Sequence, residues 1–400
     1  MVVNILLDAV IILLFLISAY YLSTALFSLF GKYEKESENE YEYTYTVVIP
    51  AHNEEKTIAD TVLSVYKTRY EKSKLRVLVV ADGCTDNTKA TALNCGAEVI
   101  EKTFSTTKGD ALYEAFKYLK SCDIKSDYIA VFDADNIIDE YFFINMNNKL
   151  SNGFKCVQGY IDSKNPNESW VSNAYSVWYY IFNRVMQVGR DNLGLNVRLM
   201  GTGMVFSFEI LDMLLFKTDT YAEDMEYSCA LWENGIKIGF SKDAIVYDEK
   251  PTSLKESLKQ RERWTKGICD VQGLHTFKLL KLKKINDIFA LWGEVLSQIS
   301  FFILSMSYAL NVGNIWNAYF SKSVFLIYFF GYIMIDILGL IKDRKLSKKT
   351  VTNAFGLIIV MLTWIPIGIF GLFGKRKGWY HTKHKKMESG KLKMNNFKNP

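Results

Sequence analysis

Residues 9–30, Ala9 to Phe30, contain no charged side chain. A run of 22 such residues is long enough to cross a bilayer as a helix. A cleaved signal peptide is the competing explanation, but no basic segment precedes the run and the run is too long. Three more apolar stretches follow near the other end. Val295–Ser321 is uncharged, Ser323–Ile341 carries only Asp336, and Thr350–Gly374 is uncharged. Each has the length to span. This pattern predicts an N-terminal transmembrane helix over residues 1–31, a soluble domain over 44–286, a C-terminal membrane region over 287–374 and a tail over 375–400. The charged stretch from Lys32 to Tyr45 reads as a linker.

Charge orients this arrangement. Lys342, Arg344, Lys345, Lys348 and Lys349 form a basic loop, and residues 375–400 hold nine Lys or Arg against Glu388 alone. Basic segments beside spans stay on the cytoplasmic side. That places the loop, the tail and the soluble domain in the cytoplasm of a multi-pass protein of the cell membrane. Three full spans after a cytoplasmic domain would put the tail outside. Either one stretch lies in the interface or re-enters, or the number of spans is not the four that the apolar runs suggest. Thr350–Gly374, broken by Pro366, Gly368 and Gly371, is the candidate. Asp336 lies near a helix end and can reach the interface. His381 and His384 sit among the tail's basic residues, which suit anionic membrane lipids better than a metal.

The net charge of +5 is carried by the tail, so the composition excludes a nucleic-acid partner. Six scattered cysteines form no Cys-x-x-Cys pair, which excludes a zinc ribbon, a thioredoxin motif and a disulfide scaffold. Within 44–286, β-rich runs at Thr44–Pro50, Lys74–Ala81 and Tyr128–Phe132 alternate with helical patterns. In one of these, Ala111, Leu112, Ala115, Phe116 and Leu119 share a face. Such alternation predicts an α/β fold with a mainly parallel sheet covered on both sides. No Gly-x-Gly-x-x-Gly follows the first strand, so a dinucleotide-binding oxidoreductase is rejected.

In such sheets ligands bind beyond the carboxyl ends of the strands. Phe132-Asp133-Ala134-Asp135-Asn136 sets two carboxylates just past a buried strand. Two hard oxygen ligands suit Mg²⁺ or Mn²⁺, with phosphate oxygens completing the shell; a solvated acidic turn is the plain alternative. Asp82 also ends a strand, and Asp86, Asn87 and Thr88 can cap the next helix. Pro50, His52 and Glu54 belong to the first strand's loop at the same edge, where His52 fits a structural role better than that of a base. Glu223 and Asp224 precede an amphipathic helix; Asp224 is either a cap or, pointed into a cleft, a general base. Ser253-Leu254-Lys255-Glu256 forms a capping box, and its helix sets Gln260, Arg263, Trp264 and Gly267 on one face. That helix is either interfacial or, with Arg263 on a pyrophosphate and Trp264 as a stacking wall, part of a site.

Together these motifs resemble the family 2 glycosyltransferases. The resemblance is to the membrane-embedded branch that includes cellulose, hyaluronan and poly-N-acetylglucosamine synthases. The order Asp82, Asp133-x-Asp135, Asp224, Gln260-x-x-Arg263-Trp264 carries the resemblance over roughly residues 44–270. It implies a GT-A-like nucleotide-sugar-binding domain flanked by transmembrane helices. The donor would be a uridine-based sugar nucleotide, UDP-glucose or UDP-N-acetylglucosamine. The cofactor would be Mg²⁺ or Mn²⁺ on Asp133 and Asp135. Asp82, beside the Pro50–Glu54 loop, would hold the base or ribose, and Lys108 would lean on the donor. Asp133 and Glu223 would lie against the substrates, and Asp224 would be the catalytic base. Gly203, in Gly201-Thr202-Gly203-Met204, would meet the acceptor, with Gln260, Arg263 and Trp264 along the pyrophosphate and acceptor. Trp379-Tyr380-His381-Thr382 resembles a Trp-x-x-Thr near the end of relatives. One departure is Ala81-Asp82, where many relatives have two adjacent acids. The implied activity is inverting transfer onto a growing polysaccharide. The alternatives are single addition to a membrane lipid and a non-catalytic scaffold, and an accessory subunit has a place in the first.

Overall fold

A computed structural model describes residues 2–30, 43–104, 107–122, 125–310, 319–364 and 366–367. The tail, with Trp379 to Thr382, and most of the predicted linker lie outside the described residues.

The chain opens with α1 (Val2–Phe27), then enters an eight-stranded sheet. Its strands are β1 (Tyr45–Ala51), β2 (Leu75–Asp82), β3 (Glu98–Lys102), β4 (Tyr128–Val131), β5 (Ile137–Ile138), β6 (Cys156–Ser163), β7 (Met204–Ser207) and β8 (Ile238–Asp248). Between them lie α2 (Ile58–Tyr66), α3 (Thr88–Asn94), α4 (Lys108–Ser121), α5 (Phe142–Leu150) and α6 (Trp170–Phe182). A π-helical turn, Asn183–Val188, joins α6 to α7 (Gly189–Asn192), and α8 (Ile210–Met213) and α9 (Glu223–Glu233) follow. The last helices are α10 (Leu254–Lys281), α11 (Ile285–Leu310), α12 (Tyr319–Lys342), α13 (Lys348–Thr352) and α14 (Ala354–Leu362).

The spatial order is β3-β2-β1-β4-β7-β6-β8-β5. The expected mainly parallel sheet is corrected to a mixed one. β3, β2, β1 and β4 are mutually parallel, but β7 enters antiparallel between β4 and β6, and β5 pairs antiparallel with β8. β8 is parallel to β6. β7 and β5 are only four and two residues long, too short to leave an alternation legible in sequence. The consequence is favourable for a site. Two reversals restore the direction, so β1, β2, β4, β6 and β8 all end at the same edge.

Alternation along the strands builds one core on each face. Val48, Leu78, Val80, Ile129 and Val131 face α4, α9 and α10. Val47, Ile49, Val77, Val79 and Ala130 face α2, α5 and α6. All are nearly or fully buried, and each large aliphatic side chain contributes roughly 1.5–3 kcal/mol of transfer free energy. In α4, the residues that the 3.6-residue spacing selected, Ala111, Leu112, Ala115, Phe116 and Leu119, are all buried. Thr107 caps this helix, accepting the Asp110 amide at 3.1 Å. At the start of α10 the Ser253 hydroxyl accepts the Glu256 amide at 3.3 Å, which is half of the predicted box.

The apolar helices are tied to the domain by buried polar groups. Arg190 is 1 % exposed and donates to the Asn196 carbonyl, the Tyr20 hydroxyl and the Asn286 carbonyl, each at 2.8 Å. Arg184 pairs with Asp343 and donates to the Ser28 carbonyl at 2.7 Å. From the basic loop, Lys345 reaches Asp162 at 2.5 Å and Lys342 reaches the Leu29 carbonyl at 2.6 Å. So α12 ends against the same domain from which α11 departs. Residues 348–362 form two short helices broken at Asn353, and α14 lies on α6. The nine residues of α14 rise only about 13 Å, less than half a hydrocarbon core. Among the described residues, one helical stretch, Asp8–Phe30, is long and apolar enough to cross a membrane.

Candidate active site

The strand ends open into a cleft of about 310 Å³. Pro50, His52 and Glu54 enter it after β1, Asp82 after β2, Asp133 and Asp135 after β4, and Asp248 after β8. Lys108, Glu223, Asp224, Gln260, Arg263 and Trp264 line it as well. Of the residues given a catalytic, substrate or metal role in the sequence, Gly203 alone is missing from the lining.

One oxygen from each of Asp133, Asp135 and Asp248 can be drawn together within 4.8 Å. Asn136, fully buried, organises them: its amide donates to Asp135 and Asp248, both at 3.1 Å, and its carbonyl oxygen accepts the Asp133 amide at 3.2 Å. The Thr202 hydroxyl donates to the same Asn136 oxygen. Three hard carboxylate oxygens held by a shared amide suit Mg²⁺ or Mn²⁺. Asp248 was not singled out in the sequence. The signal was there: Val246-Tyr247-Asp248 is another strand that ends in an acid, like Asp82.

Lys108, at the start of α4, meets Asp133 at 2.5 Å, Glu223 at 3.5 Å and the Gly201 carbonyl at 2.8 Å. Its neighbours hold the ammonium well above the ordinary lysine range, Asp133 and Glu223 outweighing burial. Asp224 opens α9 beside it. Burial, then the adjacent Glu223, pushes the Asp224 carboxyl up to about 7 against the pull of Lys108. A partly buried carboxylate titrating near neutrality inside a cleft is matched to proton transfer.

The other side of Asp224 is set by α10. Gly267 lies so close to Ala222 that an added Cβ would stand 2.6 Å from the Ala222 amide nitrogen. The missing side chain lets α10 pack on the Glu223–Asp224 turn, and Gln260, Arg263 and Trp264 face the cleft from it. The opposite side of the helix carries Arg261, 1 % exposed, which donates to the Val360 carbonyl at 2.7 Å and the Thr363 hydroxyl at 2.8 Å. This brings Trp364 to the rim, 5.9 Å from Trp178 between ring centroids. Trp178, Trp364 and Arg198 were not legible as site residues because each is brought in by packing rather than by a strand-end motif, and Asn136, which ends the Asp133–Asn136 motif, was not given a role there.

His52 lines the cleft, and its Nδ1–H donates to the backbone. Its Nδ1 lies 2.6 Å from the Asp82 carbonyl oxygen and ties the first two strand ends together. Asp82 itself is 5 % exposed and paired with Lys102 at 3.2 Å.

Gly203 sits behind the wall. Its φ is +64°, its carbonyl accepts the Gly159 amide at 2.8 Å, and an added Cβ would lie 2.9 Å from Val246 Cγ1. Its neighbours Gly201 and Thr202 line the cleft instead. Buried Gln158 fixes that loop, donating to the Thr202 carbonyl at 2.8 Å and accepting the Met200 amide at 2.9 Å. Gly203→Ala is expected to cost about 2–4 kcal/mol, from left-handed backbone plus overpacking. Chemical denaturation of the purified protein measures it; a loss under about 0.5 kcal/mol would contradict the packing described.

Comparison with known proteins agrees with this geometry. The chain is 26% identical over 368 residues to a probable glycosyltransferase, YdaM, of Bacillus subtilis, covering 84% of this chain and 86% of that protein. It is 22% identical over 336 residues to the poly-beta-1,6-N-acetyl-D-glucosamine synthase of Staphylococcus epidermidis, covering 80% and 78%. Its fold is similar to that of the mannosyltransferase PcManGT from Pyrobaculum calidifontis, solved with GDP-Man and Mn²⁺. The TM-score is 0.58 at 16% identity, over 88% of this chain and 99% of that one. The profile described as "Glycosyltransferase like family 2" matches residues 43–267, more than half of the chain, and the chain therefore belongs to glycosyltransferase family 2.

Proposed function

We propose that this glycosyltransferase moves a sugar, with inversion, from a nucleoside-diphosphate donor onto a growing β-linked polysaccharide at the membrane. The observation that carries this reading is one cleft holding Asp224 with the Asp133–Asp135–Asp248 triad and the Gln260–Arg263–Trp264 face. Likeness to a poly-N-acetylglucosamine synthase favours UDP-N-acetylglucosamine as donor, with UDP-glucose next.

The chemistry follows from the residues. Asp82 and the Pro50–Glu54 loop receive the base and ribose. Asp133, Asp135 and Asp248 would hold Mg²⁺ or Mn²⁺, which supplies charge neutralisation on the departing diphosphate. Arg263 adds a fixed guanidinium on that group, and Lys108 adds an ammonium. Asp224 removes the acceptor hydroxyl's proton as that oxygen bonds to the anomeric carbon. The bond from that carbon to the diphosphate oxygen breaks with its electron pair. Attack and departure on opposite faces convert an α-linked donor into a β-linkage. Trp264 offers the acceptor sugar a flat wall. No protein nucleophile is required, and the Cys84 thiol, bonded to the Ala51 carbonyl at 3.3 Å, has no part in it.

The membrane arrangement in this reading takes α1 as a span and adds α11 and α12, 26 and 24 residues long, on their length and on the apolar runs that the sequence places there. α11 leaves the domain and α12 returns to it. The 348–364 segment and the tail then stay on the catalytic, cytoplasmic side, and the charge conflict disappears. The short α13–α14 pair takes the part expected of the irregular stretch.

Purified protein in lipid nanodiscs, given Mn²⁺ or Mg²⁺ and labelled nucleotide sugars, tests the reading by product size. A long water-soluble product from one donor is expected. A single sugar partitioning into organic solvent would replace the polysaccharide with a lipid acceptor, and no transfer from any donor would overturn the reading.

A further inference from the structure

Two lysines contact the acidic triad directly, Lys250 buried and Lys108 partly buried. Lys250, two residues beyond β8, is 2 % exposed, and its ammonium lies 2.7 Å from Asp248 Oδ2. The same ammonium stands 3.3 Å from the centroid of the Tyr179 ring, a cation–π contact. Its backbone is clamped: the Lys250 amide donates to Asn165 Oδ1 and the Lys250 carbonyl accepts from Asn165 Nδ2, both at 2.8 Å. Lys108 holds Asp133 at the other end of the triad, and Lys164 donates to the Asp135 carbonyl at 2.7 Å. Lys250 was not legible from the sequence, because a lysine in a strand-to-helix loop is normally solvated.

We propose that Lys250 and Lys108 are internal counter-cations that deny the triad a divalent ion by itself, so that the ion enters only with the nucleotide's diphosphate. This rests on the reading of the triad as an ion site. Four carboxylates, the triad with Glu223 on Lys108, and three ammonium groups, Lys108, Lys250 and Lys164, leave about one negative charge for a doubly charged ion. An ion alone would leave the cleft floor with excess positive charge at low exposure, which is costly. A diphosphate brings two to three negative charges and removes that excess. By linkage, the nucleotide tightens the ion by the same factor as the ion tightens the nucleotide. Lys250 therefore acts through Asp248 as a positioning residue. It prevents a futile ion-loaded state that would have to rearrange before the donor could enter.

A plain structural ion pair makes a different prediction, since removing Lys250 would then weaken every ligand together. The test is Mn²⁺ binding to the full chain in nanodiscs, followed by electron paramagnetic resonance, with and without UDP or GDP. In the unaltered protein the nucleotide is expected to tighten Mn²⁺ by about 100-fold, within the range of strong site coupling. Lys250→Gln and Lys250→Met should each tighten nucleotide-free Mn²⁺ by about tenfold and narrow the gap accordingly. Lys250→Arg, which keeps the charge, should behave as the unaltered protein. Lys108→Gln reads the same effect through Asp133 if the Lys250 variants melt below the working temperature. Nucleotide-free Mn²⁺ binding that is unchanged or weaker in the folded neutral variants overturns the proposal while leaving the ion site standing. No Mn²⁺ binding to the unaltered protein, even with nucleotide, overturns the ion site and the proposal together.

Discussion

Asp224→Asn is expected to lower the turnover of sugar transfer by about 10²–10⁴-fold, the range of a lost general base, with nucleotide-sugar affinity changed no more than a few-fold. Asparagine keeps the volume and the oxygen that accepts the Met225 amide at 2.7 Å, but it cannot take a proton. The split between turnover and binding separates a base from a mere helix cap. If Asp224 only capped α9, transfer and thermal stability would fall together. Titration calorimetry with donor and a transfer assay decide between them, and a variant retaining a tenth of normal turnover would remove Asp224 from the reaction.

The same residue sets a pH dependence whose sign can be worked out. A base must be deprotonated to act. With the carboxyl pushed up to about 7, kcat/KM should fall as pH drops through that value and level off above it. The stability effect runs the other way. Ionising Asp224 is harder in the folded chain than in the unfolded one. Its contribution is therefore full below the ordinary aspartate range and is lost as pH rises toward about 7. The asparagine variant should melt higher than the unaltered protein at pH 8 and no higher at pH 4. The gain is bounded at about 4 kcal/mol by three pH units of displacement. Loss of activity with a gain in stability is the signature of a strained functional group, and a lower melting temperature at pH 8 would contradict it.

What the sequence disclosed depended on the length scale of each signal. Asp82, Asp133 and Asp135 were legible because each follows a buried strand, and a strand end in this sheet opens on the cleft. Lys108 was legible through the resemblance alone, and the Gln260–Trp264 face through helical spacing and the resemblance together. Asp248 obeys the same strand-end rule, yet it sits where β7 and β5 had obscured the direction of the sheet. Trp364 and Trp178 depended on tertiary packing alone, and Asn136, although it ends the strand-end motif, shows its part only through the contacts it makes. Trp364 reaches the rim because Arg261, on the back of α10, holds the end of α14. No local pattern in residues 350–364 announces that. Gly203 lies behind the cleft lining for a related reason. A Gly-Thr-Gly loop shows that backbone must turn, but not which of its residues faces the cleft.

Asp248→Asn is expected to separate the triad's two burdens. Removing one of three carboxylates should weaken Mn²⁺-dependent nucleotide binding by more than the roughly 10–100-fold seen when only a supporting contact to a metal ligand is lost. Asp135→Asn, at a position 6 % exposed, should do the same. The two variants differ in stability. Asp248 neutralises the Lys250 ammonium, so its loss leaves a cation buried on Tyr179 without an anionic partner, at a cost of about 3 kcal/mol. Asp135 contacts Lys164 through its backbone carbonyl, which the asparagine substitution preserves. The double variant Asp248→Asn/Lys250→Met should then regain most of the stability lost by Asp248→Asn without regaining the Mn²⁺ dependence. A coupling energy near zero in that cycle would show that the pair does not interact across the cleft floor. Recovery of both stability and ion dependence would instead exclude Asp248 from the ligand set, leaving Asp133 and Asp135 to hold the ion with the diphosphate.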